Sequence, residues 1–275
     1  MSTPTSLELP AGVTATVIET SRGPFATHAV RVPEPVAHVL LIPGWTGSKE
    51  DFTPLLPLLA SVGFDATSYD QRGQFETPGA EDDDYSLSGY AADAASIARE
   101  CSNEPTHLLG HSFGGLVAQT AALEMTSMWR TLSLLCTGPG ALGESPERPL
   151  SQFAHALGNV PLIEIHRFRE NGMTRLPDIA AFLERRFTSN SAISLKAMTE
   201  HLMHAPDLIT AIQRLQLPIW VGRGEDDDAW PHDAQAAMAR RLGVDIHVIG
   251  DSAHSPAVEN PQGLADAWFP FLLAN

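Results

Sequence analysis

The chain has 275 residues, 43% of them hydrophobic, and a formal net charge of −16 at pH 7. This length and composition predict one large domain with an extensive core, and the acidic charge without a Lys/Arg cluster argues against nucleic acid or an anionic membrane surface as a partner. The first ten residues lack the basic and apolar parts of a secretion signal, and no apolar run is long enough to span a bilayer. We therefore expect a cytoplasmic protein, in which Cys101 and Cys136 are free thiols.

The first part of the chain predicts a series of strands. Segments at about 14–19 and 27–32 are predicted to pair antiparallel at one edge of a sheet. The segments 37–42 and 64–69 are predicted as the next two strands, and a helix is predicted over 88–99. Alternation of strands and helices continues to the end of the chain, which is typical of a mainly parallel sheet flanked by helices.

A serine lies on a predicted turn from a strand to a helix. The motif Gly110-His111-Ser112-Phe113-Gly114-Gly115 follows the apolar run 106–109 and precedes a helical pattern over 116–123. The glycines two before and two after Ser112 allow a sharp bend and a close approach of neighbouring elements. The sequence therefore predicts that the Ser112 hydroxyl projects from a strained turn.

A long segment interrupts the alternation after the predicted strand 131–136. About 80 residues precede the next strand, whereas a parallel crossover needs only a dozen or more. Gly138-Pro139-Gly140 opens this segment, and helical patterns follow at 151–157, 161–170, 177–187, 191–204 and 206–215. We therefore predict a core domain formed by 1–137 and 216–275, and a separate helical unit at 138–215.

A serine nucleophile requires a histidine base and an acid that orients this histidine. The strand predicted at 245–249 is followed by a loop that contains His254. The strand predicted at 217–222 is followed by a loop with three candidate acids: Asp226, Asp227 and Asp228. Both loops begin where a strand ends, so their side chains are expected at one edge of the sheet.

With serine, acid and histidine in this order, the chain resembles the α/β-hydrolase superfamily. The acid loop of that superfamily commonly reads GxxD, with Pro four residues later, and Gly224 and Pro231 place Asp227 at the acid position. Asp226 is the reserve candidate for this role. The resemblance implies an α/β-hydrolase fold, with a mostly parallel eight-stranded sheet flanked by helices and a helical cap at 138–215, inserted after strand six.

The resemblance also implies an oxyanion hole. The loop after the third strand, which begins Pro43-Gly44, commonly begins His-Gly in the superfamily, and it supplies the backbone N–H of Trp45. The second N–H is that of Phe113, the residue after the nucleophile. The motif Asp70-Gln71-Arg72-Gly73 matches a further landmark, although Phe75 stands where many members have glycine.

The function implied by this resemblance is hydrolysis of a carboxylic ester of modest size through an acyl-enzyme, without a cofactor. Ser112 is the expected nucleophile, His254 the base and Asp227 the acid. Two alternatives stay open: a C–C bond hydrolase of a diketone-like ring-cleavage product, and a ligand-binding, receptor-like protein with little turnover. A perhydrolase or haloperoxidase side activity is compatible with the same residues. The acyl and alcohol parts of the substrate and the oligomeric state are left open.

Other chemically suggestive residues are interpreted as structural. Glu200, His201 and His204 lie one helical turn apart, but no third ligand follows at a recognisable spacing, so no metal site is predicted. His111 is expected to make a structural contact. Four apolar residues of the helical unit are candidates for a pocket lining, with packing as the default interpretation: Phe153, Phe168, Phe182 and Met203.

Overall fold

The computed structural model describes residues 2–144 and 149–275. Its strands are β1 (Val13–Thr20), β2 (Gly23–Val30), β3 (His38–Ile42), β4 (Asp65–Tyr69), β5 (Thr106–His111), β6 (Trp129–Leu135), β7 (Ile219–Gly224) and β8 (Ile246–Ile249). They form one sheet in the order β1-β2-β4-β3-β5-β6-β7-β8. β2 pairs antiparallel with β1 and β4, and the remaining neighbours pair parallel. The predicted fold class is therefore confirmed.

Helices flank the sheet on both faces. The α-helices of the described residues, including those of the insertion between β6 and β7, are α1 (Leu56–Ser61), α2 (Leu87–Cys101), α3 (Phe113–Glu124), α4 (Pro149–Ala156), α5 (Leu162–Glu170), α6 (Pro177–Thr188), α7 (Ala192–His204), α8 (Ile209–Ile212), α9 (His232–Leu242), α10 (Pro256–Glu259) and α11 (Pro261–Ala274). Within the described residues, none of these helices combines the length and the apolar character that a membrane crossing requires.

The helix predicted at 206–215 is wrong in its extent, since α8 has only four residues. Its start is fixed by local hydrogen bonds that are not helical. Asp207 Oδ1 accepts a hydrogen bond from Ile209 N at 3.0 Å, and Leu208 N donates to Pro139 O at 3.2 Å. These contacts hold the chain before α8 in a turn, because an Asp side chain competes with the helix for backbone N–H groups.

The central strands are apolar on both faces because each face carries its own core. Along β3, Leu40 and Ile42 pack in a cluster with residues of α2 and α3. Val39 and Leu41, which point to the opposite face, pack with residues of α1 and α11. Such continuous apolar strands are typical of parallel sheets covered on both sides.

The helices α4 to α8 lie between β6 and β7 in the chain, and α7 docks on loops of the sheet region. Ser194 Oγ donates to Arg72 O at 2.8 Å, and Ser191 N donates to Gly73 O at 2.8 Å. His201 Nε2 lies 2.8 Å from Tyr85 O. These hydrogen bonds fix the helical insertion over the segment that follows β4.

A buried ion pair forms a second attachment of the insertion. Arg186 of α6 is fully buried, and its Nη1 donates to Asp51 Oδ1 at 2.8 Å. Its Nη2 donates to the main-chain oxygen of Ser2 at 2.6 Å. The Asp51 carboxylate, which lies after β3, therefore depends on Arg186 for its charge compensation.

We expect Arg186→Met to lower the free energy of unfolding by about 3–5 kcal/mol, because this change leaves the Asp51 charge buried without its partner. Arg185→Met is the matched control. Arg185 is exposed, next to Arg186 on the same helix, so its loss is expected to cost less than about 1 kcal/mol. Urea unfolding of both variants measures the difference, and equal stabilities would contradict the assignment.

Candidate active site

Ser112 lies at a sharp turn between β5 and α3. Its backbone has φ 56° and ψ −120°, a combination that residues other than glycine rarely adopt. Ser112 N donates to Leu135 O at 3.0 Å, and Thr137 Oγ1 donates to Ser112 O at 2.8 Å. Both peptide groups beside the serine are thus tied to the end of β6, and this anchoring maintains the unusual conformation.

Two glycines allow this turn to form. A Cβ atom at Gly110 would lie 2.1 Å from Gly114 O, and one at Gly114 would lie 2.4 Å from Ile42 O. Neither position has room for a side chain, because strand and helix approach each other at backbone distance. The spacing of the glycines around Ser112 is therefore required by packing, as the sequence predicted.

The structure brings Ser112, His254 and Asp227 into one hydrogen-bonded chain. His254 Nε2 lies 3.0 Å from Ser112 Oγ, and His254 Nδ1 lies 2.8 Å from Asp227 Oδ1. The three residues follow β5, β8 and β7, whose carboxyl ends meet at the same edge of the parallel sheet. Each side chain is thus within the hydrogen-bond reach that nucleophile, base and orienting acid need.

Asp227 is the carboxylate that contacts His254, and it is buried, with 4% exposure. Burial alone would raise the pKa of Asp227. Hydrogen bonds from His254, Ala229 N and Gln235 Nε2 outweigh that effect and hold this pKa below its usual value. The neighbouring Asp226, the reserve candidate, is exposed to solvent, so the structure places it outside the hydrogen-bonded chain.

Gln235 is a site residue that sequence reasoning missed. Its side-chain Nε2 lies 2.9 Å from Asp227 Oδ2 and 3.2 Å from Trp230 O, so both amide protons have an acceptor. It lies on the buried face of α9. A glutamine at helical spacing from the apolar residues Met238, Ala239 and Leu242, just after the acid loop, is the sequence signal that would have indicated such a role.

His111 supports the main chain of His254, consistent with its expected structural contact. Its Nε2 lies 2.6 Å from His254 O. Burial, followed by the nearby His254, lowers the pKa of His111 to about 3, so its ring is neutral at neutral pH and Nε2–H donates to the carbonyl. His111 therefore fixes the position of the loop that carries His254.

The loop after β3 lies beside the serine. A Cβ atom at Gly44 would lie 3.0 Å from Ser112 Cβ. The Gly44 carbonyl accepts hydrogen bonds from Gln74 Nε2 at 3.0 Å and from Gly47 N at 3.1 Å. Because C=O and N–H of a trans peptide point in opposite directions, these bonds also fix the direction of the Trp45 N–H.

Phe113 is the first residue of α3, so its N–H has no carbonyl partner within the helix. This N–H lies one peptide from the Ser112 side chain. The start of α3 at Phe113 and the loop that carries Trp45 therefore both adjoin Ser112.

A cavity of ≈230 Å³ opens above Ser112, and we call it the serine cavity. Its walls include Ser112, His254 and Trp45, and from the helical insertion Leu142, Leu150, Arg169 and Leu202. Larger cavities of ≈940 and ≈790 Å³ lie against α4 and contain neither Ser112 nor His254. The smaller cavity is therefore the candidate substrate site, since it alone among these three is lined by Ser112 and His254.

The four apolar pocket candidates do not line the serine cavity. Phe153 and Phe168 line the ≈790 Å³ cavity, and Met203 lines the ≈940 Å³ cavity. Phe182 packs against Phe75 with ring centroids 5.7 Å apart. Packing against the segment that follows β4 therefore accounts for Phe182, and the wall of the serine cavity is formed by other residues.

The structure does not bring the suggested histidine pair together as a metal site. His201 is turned to Tyr85 O, whereas His204 pairs with Glu200 at 3.4 Å and with Glu144 at 3.2 Å. A second group, His111, Cys136 and His254, has ligand atoms within 4.8 Å of one another. Both nitrogens of His254 and Nε2 of His111 already have hydrogen-bond partners in Ser112, Asp227 and the His254 carbonyl.

Both cysteines are free, as predicted. Burial raises the pKa of the Cys136 thiol well above its usual value, and the nearby Asp227 acts in the same direction. Cys136 therefore remains a neutral thiol next to the acid loop, and a neutral thiol is a poor nucleophile.

Comparison with known proteins shows the family. The model of the Alpha/beta hydrolase family matches residues 39–267, so the chain belongs to this family. A pimeloyl-acyl-carrier-protein methyl ester esterase from Neisseria meningitidis is 24% identical over 252 residues, which cover 88% of this chain and 78% of that protein. A protein from Variovorax paradoxus assigned as a carbamate hydrolase is 35% identical over 97 residues, which cover 35% of this chain and only 36% of that protein.

Solved structures agree on the fold. A carboxylesterase structure from Nitrososphaera gargenis superposes with a TM-score of 0.75 at 17% identity, covering 94% of this chain and 98% of that one. At this identity the likeness concerns the fold. Together with the family match, it confirms the superfamily that the motifs predicted.

The lowered pKa of Asp227 predicts how stability depends on pH. Since the folded-state pKa is below the unfolded value, the ionised carboxylate stabilises the fold above a pH of about 4, and this contribution is lost as the pH falls through the folded pKa. We expect Asp227→Asn to lower the free energy of unfolding by about 1–3 kcal/mol at pH 7, because an amide cannot accept hydrogen bonds on both of its atoms.

The difference from the parent protein should shrink as the pH falls below about 4. Asp226→Asn is the matched control, and its stability should follow that of the parent protein because Asp226 is exposed. Urea unfolding at a series of pH values measures both variants. A constant difference for Asp227→Asn at every pH would contradict this assignment.

Proposed function

We propose that the protein is a serine hydrolase that cleaves a carboxylic ester through Ser112, His254 and Asp227. The observation that carries this proposal is the hydrogen-bonded chain from Ser112 Oγ through both nitrogens of His254 to Asp227 Oδ1, at the base of a cavity. The match to a methyl ester esterase over 88% of the chain supports an ester as the substrate.

In the proposed reaction, His254 Nε2 takes the Ser112 proton while Oγ attacks the ester carbonyl. Asp227 stays ionised, holds the imidazole with Nε2 toward the serine, and stabilises the imidazolium that forms. The imidazolium then gives its proton to the departing alkoxide, and an acyl-serine remains. A water molecule, deprotonated by the same His254, attacks this acyl group and releases the acid and the free serine.

The proposed oxyanion hole consists of the N–H groups of Trp45 and Phe113. The hydrogen bonds to the Gly44 carbonyl and the start of α3 fix these donors before substrate binds. Donors fixed in this way stabilise developing negative charge without reorganisation, and loss of one typically costs about 3–4 kcal/mol of transition-state stabilisation.

We further propose that 138–215 acts as a cap on a core formed by 1–137 and 216–275. Leu142, Leu150, Arg169 and Leu202 of the insertion line the serine cavity, so the insertion covers the nucleophile. The cavity of ≈230 Å³ is below the ~300–1,000 Å³ usual for drug-sized ligands, which favours an ester of modest size.

Ser112→Ala is expected to reduce kcat for a short-chain aryl ester by a factor on the order of 10⁴–10⁶, because no other group takes over the covalent step. Circular dichroism and thermal unfolding should show a retained fold. Ser189→Ala, which removes an exposed serine hydroxyl, should retain the parent activity. Full activity of the Ser112 variant would refute the proposal.

A further inference from the structure

Arg169 is a cation in the wall of the serine cavity, and it has no ionic partner among the described residues. It lines both the serine cavity and the adjoining ≈790 Å³ cavity. Its Nη1 is buried and has no hydrogen-bond partner. Two other arginines of the insertion are paired: Arg186 with Asp51, and Arg175 with Glu170.

Aromatic rings surround the Arg169 guanidinium. Its Cζ lies over the rings of Phe153 at 5.0 Å, Phe187 at 5.1 Å and Trp45 at 5.4 Å. Burial lowers the pKa of Arg169 to about 10, so the group still carries its charge at neutral pH. Contact with aromatic faces offsets part of the cost of desolvation, but it leaves the in-plane N–H groups free for an acceptor.

Two further polar atoms in the same wall are buried without a hydrogen-bond partner: Trp45 Nε1 and Thr46 Oγ1. A guanidinium and an indole N–H are donors only, and a hydroxyl adapts to either role. Buried donors without acceptors are costly, so this wall is suited to a ligand that brings acceptor atoms. Among the acids of the cavity, Asp51 is held by Arg186 and Asp228 is exposed.

We propose that Arg169 binds a carboxylate of the substrate, so that the preferred ester carries a carboxylate separate from the ester group at Ser112. A guanidinium pairs with a carboxylate through two parallel N–H···O bonds, which adds geometric specificity. Because Arg169 belongs to the shared wall of the two cavities, the carboxylate lies on the side of the serine cavity that faces the ≈790 Å³ cavity. This inference rests on the proposed function for the reaction at Ser112.

The net charge of −16 gives the protein no long-range attraction for an anion. Selectivity must therefore come from contact inside the cavity. For this reason we expect it to depend on the single Arg169 side chain and not on the overall charge of the protein.

The test compares two esters that carry a carboxylate on opposite sides of the ester bond, each with a neutral counterpart. The phenyl monoester of glutaric acid carries it on the acyl part, and the butyryl ester of 4-hydroxybenzoate carries it on the leaving group. The neutral counterpart of each is its methyl ester. We expect kcat/KM to favour one of the two anionic esters over its neutral counterpart by about 10- to 100-fold.

Arg169→Met should abolish this preference, because kcat/KM is expected to fall much more for the anionic ester than for its neutral counterpart. Arg167→Met is the matched control, because Arg167 lies on the same helix but is exposed. It removes the same charge from the protein and should keep the preference. Three results would overturn the proposal: an unchanged preference in the Arg169 variant, no preference in the parent protein, or an equal loss of kcat/KM on all four esters.

Failure of the proposed function is separately detectable. If none of the esters is hydrolysed and a fluorophosphonate does not label Ser112, the hydrolase assignment fails. Calorimetric titration with glutarate then decides the Arg169 site alone. If the parent protein and Arg167→Met bind glutarate and Arg169→Met does not, the result supports a carboxylate site. If the parent protein does not bind glutarate, the result overturns it.

Discussion

The backbone bend at Ser112 is the constraint on which the rest of the site depends. A residue with φ 56° and ψ −120° carries a conformational cost of about 1–3 kcal/mol and persists only where its surroundings impose it. Two features impose this conformation on Ser112. β5 and α3 approach each other closely at Gly110 and Gly114, and the Ser112 peptides are hydrogen-bonded to the end of β6. The sheet thus supports the strain that exposes the Ser112 hydroxyl to the cavity.

Parallel pairing of the strands brings the partners to this bend. The segments after β5, β7 and β8 start at the same edge of the sheet, where ligand sites of open α/β sheets usually lie. Local contacts then set the finer positions. His111 holds the main chain of His254, and Gln235 holds the carboxylate of Asp227 from the side opposite the histidine. The histidine in the middle of the hydrogen-bonded chain and the carboxylate at its end are therefore both held in place.

Much of this architecture was predictable because it follows from local signals. The apolar pattern of 37–42 predicts a strand, and the spacing of the glycines around Ser112 predicts a sharp turn of the backbone. The resemblance to the superfamily's acid loop, with Gly224 and Pro231 around Asp227, indicated the carboxylate that contacts His254, and the structure places Asp226 in solvent. In each case the information lies within a few residues of the position concerned.

The rest depends on contacts between distant segments. Gln235 reaches Asp227 only because α9 packs behind the acid loop, and the start of α8 depends on a hydrogen bond from Leu208 N to Pro139 O. Arg169 looks like one of several charged residues on α5, and only the packing of three aromatic rings and the pairing of its neighbours make it an uncompensated cation. Such features become visible when the helices of the insertion are placed over the sheet.

The central claim is that Ser112 forms a covalent bond to the acyl group during turnover. Rapid-quench mass spectrometry with an activated aryl ester tests it directly, because acyl-enzymes accumulate in a burst when their hydrolysis is slower than their formation. We predict an early mass increase equal to the acyl group, located by peptide mapping on Ser112. Ester turnover with the acyl group on another residue, or with no adduct under conditions that show a burst of released phenol, would contradict this account.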